Sequence, residues 1–403
     1  MRPATACLEQ SGLLPTSLVL KPQEMESHVH NIGCTTDSNE VSGNRSGLGA
    51  RIHGGNIRDA VQRYGIAQKS IVDFSSSINP LGPSAAAMRA AKKALTLIDQ
   101  YPDPNMTDLR TAIGRYFGIK PEQVVCGNGS NGLIHLIPRV FRPKKVLVPV
   151  PTFTEYAAAV EDAGGEIVTL PLQEQNGFRV DPIDMAFALK GMDMAFLCNP
   201  NNPTGALIPK AEMHEILKAA CQNNVRLVVD EAFMDFVDAD SLVKEAVQSS
   251  HLIVLRAFTK FFGMPGLRVG YAVADSATAG ALRSGQEPWT VSIPSERAAI
   301  AALTDWGYMA RTRRLVSKER DRMLSELRLI SGLESFPSSA NFIFLKLTGI
   351  NSQALTDKLG RRGLLVRDCS SFPGLDNRYI RVAVRTRWQN RRLLKALREI
   401  LIR

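Results

Sequence analysis

The sequence predicts an α/β chain: a large domain built on a mostly parallel sheet sandwiched between helices, followed by a smaller α+β domain. Three observations point there. From Ile71 onward, short runs rich in β-branched residues alternate with amphipathic helical stretches. The runs are continuously apolar, as strands covered on both faces are. Each run also ends in a polar cluster, and in a parallel sheet the carboxyl ends of the strands are where ligands bind. With 403 residues, 44% of them hydrophobic and 22% charged, the chain is long enough to build more than one core.

Taken in order, residues 1–50 are rich in Ser, Thr, Asn and Gly and lack apolar periodicity, so they read as a disordered extension. His28, His30 and Cys34 within it form no recognisable ligand spacing, and no metal site is expected. Residues 51–82 read as an arm that joins the small domain. Residues 83–305 form the large domain, with strands at QVVCGNG (123–129), KVLVPVP (145–151), MAFLCNP (194–200), VRLVVDEAF (225–233) and LIVLRAF (252–258). The first of these feeds a helix at 133–140. Between two others, residues 211–224 carry apolar positions at 213, 216, 217, 219 and 220, which is helical spacing. Residues 306–403 form the small domain: an arginine-rich helix over about 304–328 leads into it, strands NFIFLKL (341–347) and RYIRVAV (378–384) follow, and a helix over 390–402 closes it.

Composition excludes several classes of function. The chain carries 49 basic and 39 acidic residues, and from Gly307 onward there are 21 basic against 8 acidic, so the excess belongs to the small domain. A local basic field suits a small anionic ligand, and no helix-turn-helix module is present to make a nucleic-acid protein. No apolar run approaches the roughly 18–20 residues of a membrane helix. The stretch at 13–20 is short and broken by Pro15, which argues against a secretory signal. Six cysteines without a C-x-x-C pair read as reduced thiols of a cytoplasmic protein.

The polar clusters carry the chemistry. Gly127–Gly132 (GNGSNG) opens a helix, where free N–H groups and the dipole favour a phosphate. Residues 199–205 (NPNNPTG) hold three amides in a proline-stiffened turn. Asp230 and Glu231 end an apolar strand, and carboxylates buried there need a cationic partner. Lys260 lies among Phe258, Phe261 and Phe262, where desolvation lowers its pKa and favours a nucleophilic amine.

These strings, in this order and spacing, resemble the fold-type I pyridoxal-phosphate enzymes of the aminotransferase class I/II family over roughly residues 53–403. The resemblance implies a seven-stranded sheet, pyridoxal 5'-phosphate as cofactor and a homodimer. It makes Lys260 the lysine that bonds the cofactor and Asp230 the partner of its ring nitrogen. It puts Asn202 on the ring oxygen and Phe153 (PTFTEY) on the ring face. Gly129, Ser130, Asn131, Thr259 and Arg268 fall around the phosphate, and Tyr101 (YPDP) reaches the phosphate of the neighbouring subunit. Arg381 matches the clamp on the substrate α-carboxylate. Two departures stand out: Phe233 where many members have tyrosine, and Ala257 where many have serine.

The further strings HGGNIR (53–58), DFS (73–75) and INPLGP (78–83), together with DEAF and RYIRVAVRT, are similar to the threonine-phosphate decarboxylases of cobalamin biosynthesis. That resemblance implies a phosphorylated amino acid as substrate, with His53, Asn79, Asn202, Arg367 and Arg381 as its ligands. Histidinol-phosphate aminotransferase activity, or decarboxylation of serine phosphate, are the alternatives.

Overall fold

The computed structural model describes residues 54–237 and 241–401. The expectation for residues 1–50, the metal question at His28, His30 and Cys34, and His53 all lie outside the described residues. A seven-stranded sheet runs in the spatial order Val124–Asn128, Val269–Val273, Leu252–Ala257, Arg226–Asp230, Met194–Cys198, Lys145–Val150 and Glu166–Pro171. Six strands point the same way, and Val269–Val273 runs against both of its neighbours.

The inner strands are largely apolar because both faces are covered. Leu227 and Val229 enter one buried cluster and Val228 the other; Leu147 separates from Val146 and Val148 in the same way. Two strands of this sheet were not legible as such. Glu166–Pro171 is a half-exposed edge with a charged start and a proline end, so it lacks the apolar run of its neighbours. Val269–Val273 lies inside the string read for its lysine and arginine. The helix expected at 133–140 spans Gly129–Phe141, because Gly129, Ser130 and Asn131 are its first turn and not a loop before it.

The 22-residue helix Trp306–Leu327 precedes a four-stranded antiparallel sheet ordered Arg367–Asp368, Tyr379–Ala383, Phe342–Leu347, Leu333–Ser335. Helix Arg387–Leu401 packs beside it around a third apolar cluster that includes Phe74, Ile343, Val382 and Leu393. Val72–Asp73 pairs in parallel with Leu364–Leu365. Phe74 then donates its N–H to Leu365 (2.7 Å), and its carbonyl accepts from Ala383 (2.8 Å). An early segment is thereby stitched to strands more than two hundred residues later. No helix among the described residues is long and apolar enough to cross a membrane.

Candidate active site

At the carboxyl ends of the parallel strands lies a cavity of about 240 Å³, lined among others by Ser130, Asn131, Phe153, Asn202, Asp230, Phe233, Ala257, Thr259, Lys260 and Arg268. Residues far apart in sequence thus share one recess.

Asp230 and Glu231 occupy adjacent positions at a strand end, so their side chains leave in opposite directions. Glu231 turns inward to Arg256 Nη1 (2.8 Å), the Ser241 hydroxyl (2.7 Å) and the Leu242 N–H (2.8 Å), while Asp235 takes the other end of the same guanidinium (2.5 Å). The cationic partner demanded by the buried pair therefore serves Glu231. Asp230 faces the cavity and forms no ion pair among the described residues. Its Oδ2 accepts from the Tyr156 hydroxyl (2.8 Å) and its Oδ1 from the Ala232 N–H (2.9 Å). Burial pushes its pKa up, and the Tyr156 and Ala232 hydrogen bonds and the charge of Lys260 pull it back.

Lys260 follows strand Leu252–Ala257 in a setting of buried phenylalanines. Burial, then the charges of Arg381 and Arg268, lower its pKa to about 8, with Asp230 and Asp73 opposing. Asn79 holds its backbone. The Asn79 N–H donates to the Lys260 carbonyl (3.0 Å), and Nδ2 lies 2.6 Å from the Phe261 carbonyl and 2.8 and 2.9 Å from the Tyr308 and Thr312 hydroxyls. Its Oδ1 accepts from the Leu81 N–H (3.0 Å). Expected as a substrate ligand, Asn79 is instead a buried clamp, since its side-chain atoms are all engaged within the protein.

One end of the cavity is built for an anion. Gly129 opens its helix at φ +69°, and a Cβ there would lie 2.6 Å from Arg268 Nη2. A Cβ on Gly270 would meet the Ser130 nitrogen at 2.4 Å. Both glycines thus let the helix N-terminus and the arginine crowd the same recess. Arg268 Nη1 is held by the Pro265 carbonyl (3.2 Å), and Asn131 Oδ1 is buried without a hydrogen-bond partner.

Beside the cavity residue Asn202, Arg381 lies mid-strand and is 7% exposed. Its Nη2 donates to the Ser75 carbonyl (2.8 Å) and its Nη1 to Asn202 Oδ1, while Nε is buried without a partner. Burial lowers its pKa to about 10. Arg367 stands directly opposite Arg381 in strand register and is also buried. It donates to the Ser371 hydroxyl (3.0 Å) and borders a second cavity of about 310 Å³ that also touches Gly54, Gly55 and Ser75. Like charges opposed across a sheet are unfavourable, and a shared anion relieves them.

One expected residue stands apart. Tyr101 is 80% exposed and packs on Trp289 (4.7 Å between ring centroids), away from the cavity of its own chain. His53 is outside the described residues. Phe153 borders the cavity and meets Tyr156 edge-on (5.6 Å). Tyr156 itself was missed. It sits three residues after Phe153 in the same string, and a hydroxyl in an otherwise apolar helix was the available signal. Phe233 packs edge-on against Phe342 (5.0 Å), so no hydroxyl reaches the cavity there.

Comparison with known proteins finds relatives over most of the chain. The family model described as "Aminotransferase class I and II" matches residues 69–397. A protein of Caldanaerobacter subterraneus subsp. tengcongensis, provisionally named threonine-phosphate decarboxylase, is 41% identical over 86% of this chain and 93% of its own length. The threonine-phosphate decarboxylase of Salmonella typhimurium is 35% identical over 87% of this chain and 96% of its own. The histidinol-phosphate aminotransferase of Sinorhizobium meliloti, solved in complex with pyridoxal-5'-phosphate, superposes with a TM-score of 0.78 at 25% identity, covering 86% of this chain and 95% of that one. By the span of the family model and the identity of its relatives, the chain belongs to the aminotransferase class I and II family.

Proposed function

We propose that the chain is a pyridoxal-phosphate-dependent decarboxylase that converts L-threonine O-3-phosphate to (R)-1-amino-2-propanol O-2-phosphate, a step of cobalamin synthesis. The observation that carries this is the pair of buried arginines, Arg367 and Arg381, set in register: Arg381 is bonded to Asn202, which lines the recess of the low-pKa Lys260, and Arg367 borders a second cavity. A substrate bearing both a carboxylate and a phosphate suits them, and the named relatives agree.

The residues present fit the cofactor. The two glycines let a helix N-terminus and Arg268 crowd one anion cradle, and Asp230 is a buried carboxylate with no cation bonded to it among the described residues. Gly129, Ser130, Asn131, Thr259 and Arg268 would hold the phosphate, Asp230 the ring nitrogen, Asn202 the ring oxygen and Phe153 the ring face, with Lys260 as the attachment amine. When bound, pyridoxal phosphate supplies a conjugated ring that accepts the electron pair left by a bond breaking at the substrate α-carbon. Arg381 grips the α-carboxylate and so orients the bond that breaks. Lys260 Nζ holds the proton that the α-carbon takes up once the carboxylate has left as carbon dioxide. Tyr156 and Ala232 keep Asp230 ionised by donating to its two oxygens.

The exposed apolar groups Ile98, Tyr101 and Trp289 support a homodimer in which Tyr101 serves the neighbouring subunit's phosphate site. The described cysteines are unpaired, as suits a reducing cytoplasm. Incubation with threonine phosphate tests the activity: carbon dioxide and the amino alcohol phosphate form without any 2-oxo acid. Strict dependence on 2-oxoglutarate with histidinol phosphate as substrate would instead identify an aminotransferase. Serine phosphate differs by one methyl, worth only about 1–3 kcal/mol of discrimination, and is compared in the same assay.

A further inference from the structure

Arg381 forms no ion pair among the described residues, yet neutral acceptors hold it on two sides, Asn202 Oδ1 and the Ser75 carbonyl. The Ser75 carbonyl belongs to a turn closed by Asp73. Asp73 Oδ1 accepts from the Ser75 N–H (2.8 Å), the Ser75 hydroxyl (2.6 Å) and the Ser76 N–H (3.3 Å), and its Oδ2 accepts from the Ser76 hydroxyl. Ser75 Oγ accepts in turn from the Gly55 N–H (2.8 Å). Upstream, the Phe74 peptide is pinned to Leu365 and Ala383. A Cβ on Gly54 would lie 2.4 Å from the Ser75 carbonyl oxygen, so that oxygen is boxed in from a further side.

The arrangement resolves a conflict of purpose. A carboxylate placed directly on Arg381 would orient it firmly, but would also neutralise the charge an incoming carboxylate needs. Asp73 has its oxygens occupied by four donors and reaches the guanidinium through a peptide dipole instead.

We infer that Asp73 is a positioning residue for Arg381, acting through the Ser75 carbonyl to set the angle at which the guanidinium meets the substrate carboxylate while leaving its charge available. The inference rests on the proposed role of Arg381, and it deepens that role. It has a selective consequence, because the amino alcohol phosphate product carries an amine and a phosphate but no carboxylate.

The test compares ligands with and without that group on the holoenzyme. In Asp73→Ala the KM for threonine phosphate rises about 10- to 100-fold, in the range known for small misplacements of binding groups, while product inhibition and the absorbance of bound cofactor are unchanged. Asp73→Asn restores most of the loss, because its amide oxygen still accepts from Ser75. Gly54→Ala, which presses on the same carbonyl without touching Asp73, reproduces the Asp73→Ala pattern and carries the test if that variant does not fold. Parallel loss of substrate and product affinity, wild-type affinity for both, or an Asn variant as impaired as Ala overturns the inference. If the wild-type enzyme releases no carbon dioxide, the proposed function is what fails. Glutamate and histidinol phosphate then serve as the ligand pair with and without a carboxylate, read by the same criterion.

Discussion

In the proposed reaction Lys260 must be charged when it donates a proton and neutral when it attacks, and its surroundings place both states within reach. A pKa near 8 leaves about a tenth of it neutral at pH 7, against roughly one part in three thousand for an ordinary lysine. Below about pH 8 capture of pyridoxal phosphate by the apo-protein should therefore rise about tenfold per pH unit and level off near 8, with no further rise toward 10.5. Stopped-flow absorbance measures it, and Lys260→Ala should abolish the near-visible band altogether. Tyr156→Phe removes a hydrogen bond that lowers the pKa of Asp230, so the carboxyl titrates higher. Loss of a bond to a charged group is worth about 1.5–3 kcal/mol, and the defect in turnover should shrink as pH rises and Asp230 ionises again. Lys260, Asp230 and Arg268 were legible because each stands in a compact string whose composition carries its own chemistry. Tyr156 and Asp73 were not. Tyr156 acts on a residue 74 positions away, Asp73 on Arg381 through a single peptide, and neither contact leaves a trace in local spacing.

At the scale of elements, the cofactor end of the site depends on how strand Leu252–Ala257 is tied to its neighbour. Arg256, in that strand, holds both Glu231 and Asp235, which follow Arg226–Asp230. Arg256→Met would strand two buried carboxylates and should cost about 3–5 kcal/mol, measured by chemical denaturation. Adding Glu231→Gln should recover part of it by removing one uncompensated charge. The strands that carry the site were readable as continuous apolar runs because they are buried on both faces. The edge strand Glu166–Pro171 was not, since half its surface meets solvent and its pattern resembles a loop. The antiparallel strand Val269–Val273 escaped for another reason: its short apolar run sits beside Arg268, whose functional signal dominated the string.

Across the whole molecule, the basic excess beyond Gly307 and the apolar face around Ile98 ask different questions of the same chain. If that face joins two subunits, Ile98→Asp should give a monomer by sedimentation velocity with most activity lost, because Tyr101 would no longer reach its partner site. Retention of a dimer would place the interface elsewhere. The bond between the Ser75 carbonyl and Arg381 joins residues 306 positions apart, whereas the cofactor recess is complete by Arg268. A ribosome making this chain therefore delivers the chain's own lining residues of the cofactor recess before it delivers Arg381, the proposed grip on the substrate carboxylate. The proposed clamp is thus the last part of the site to be synthesised, on the final described strand of the chain.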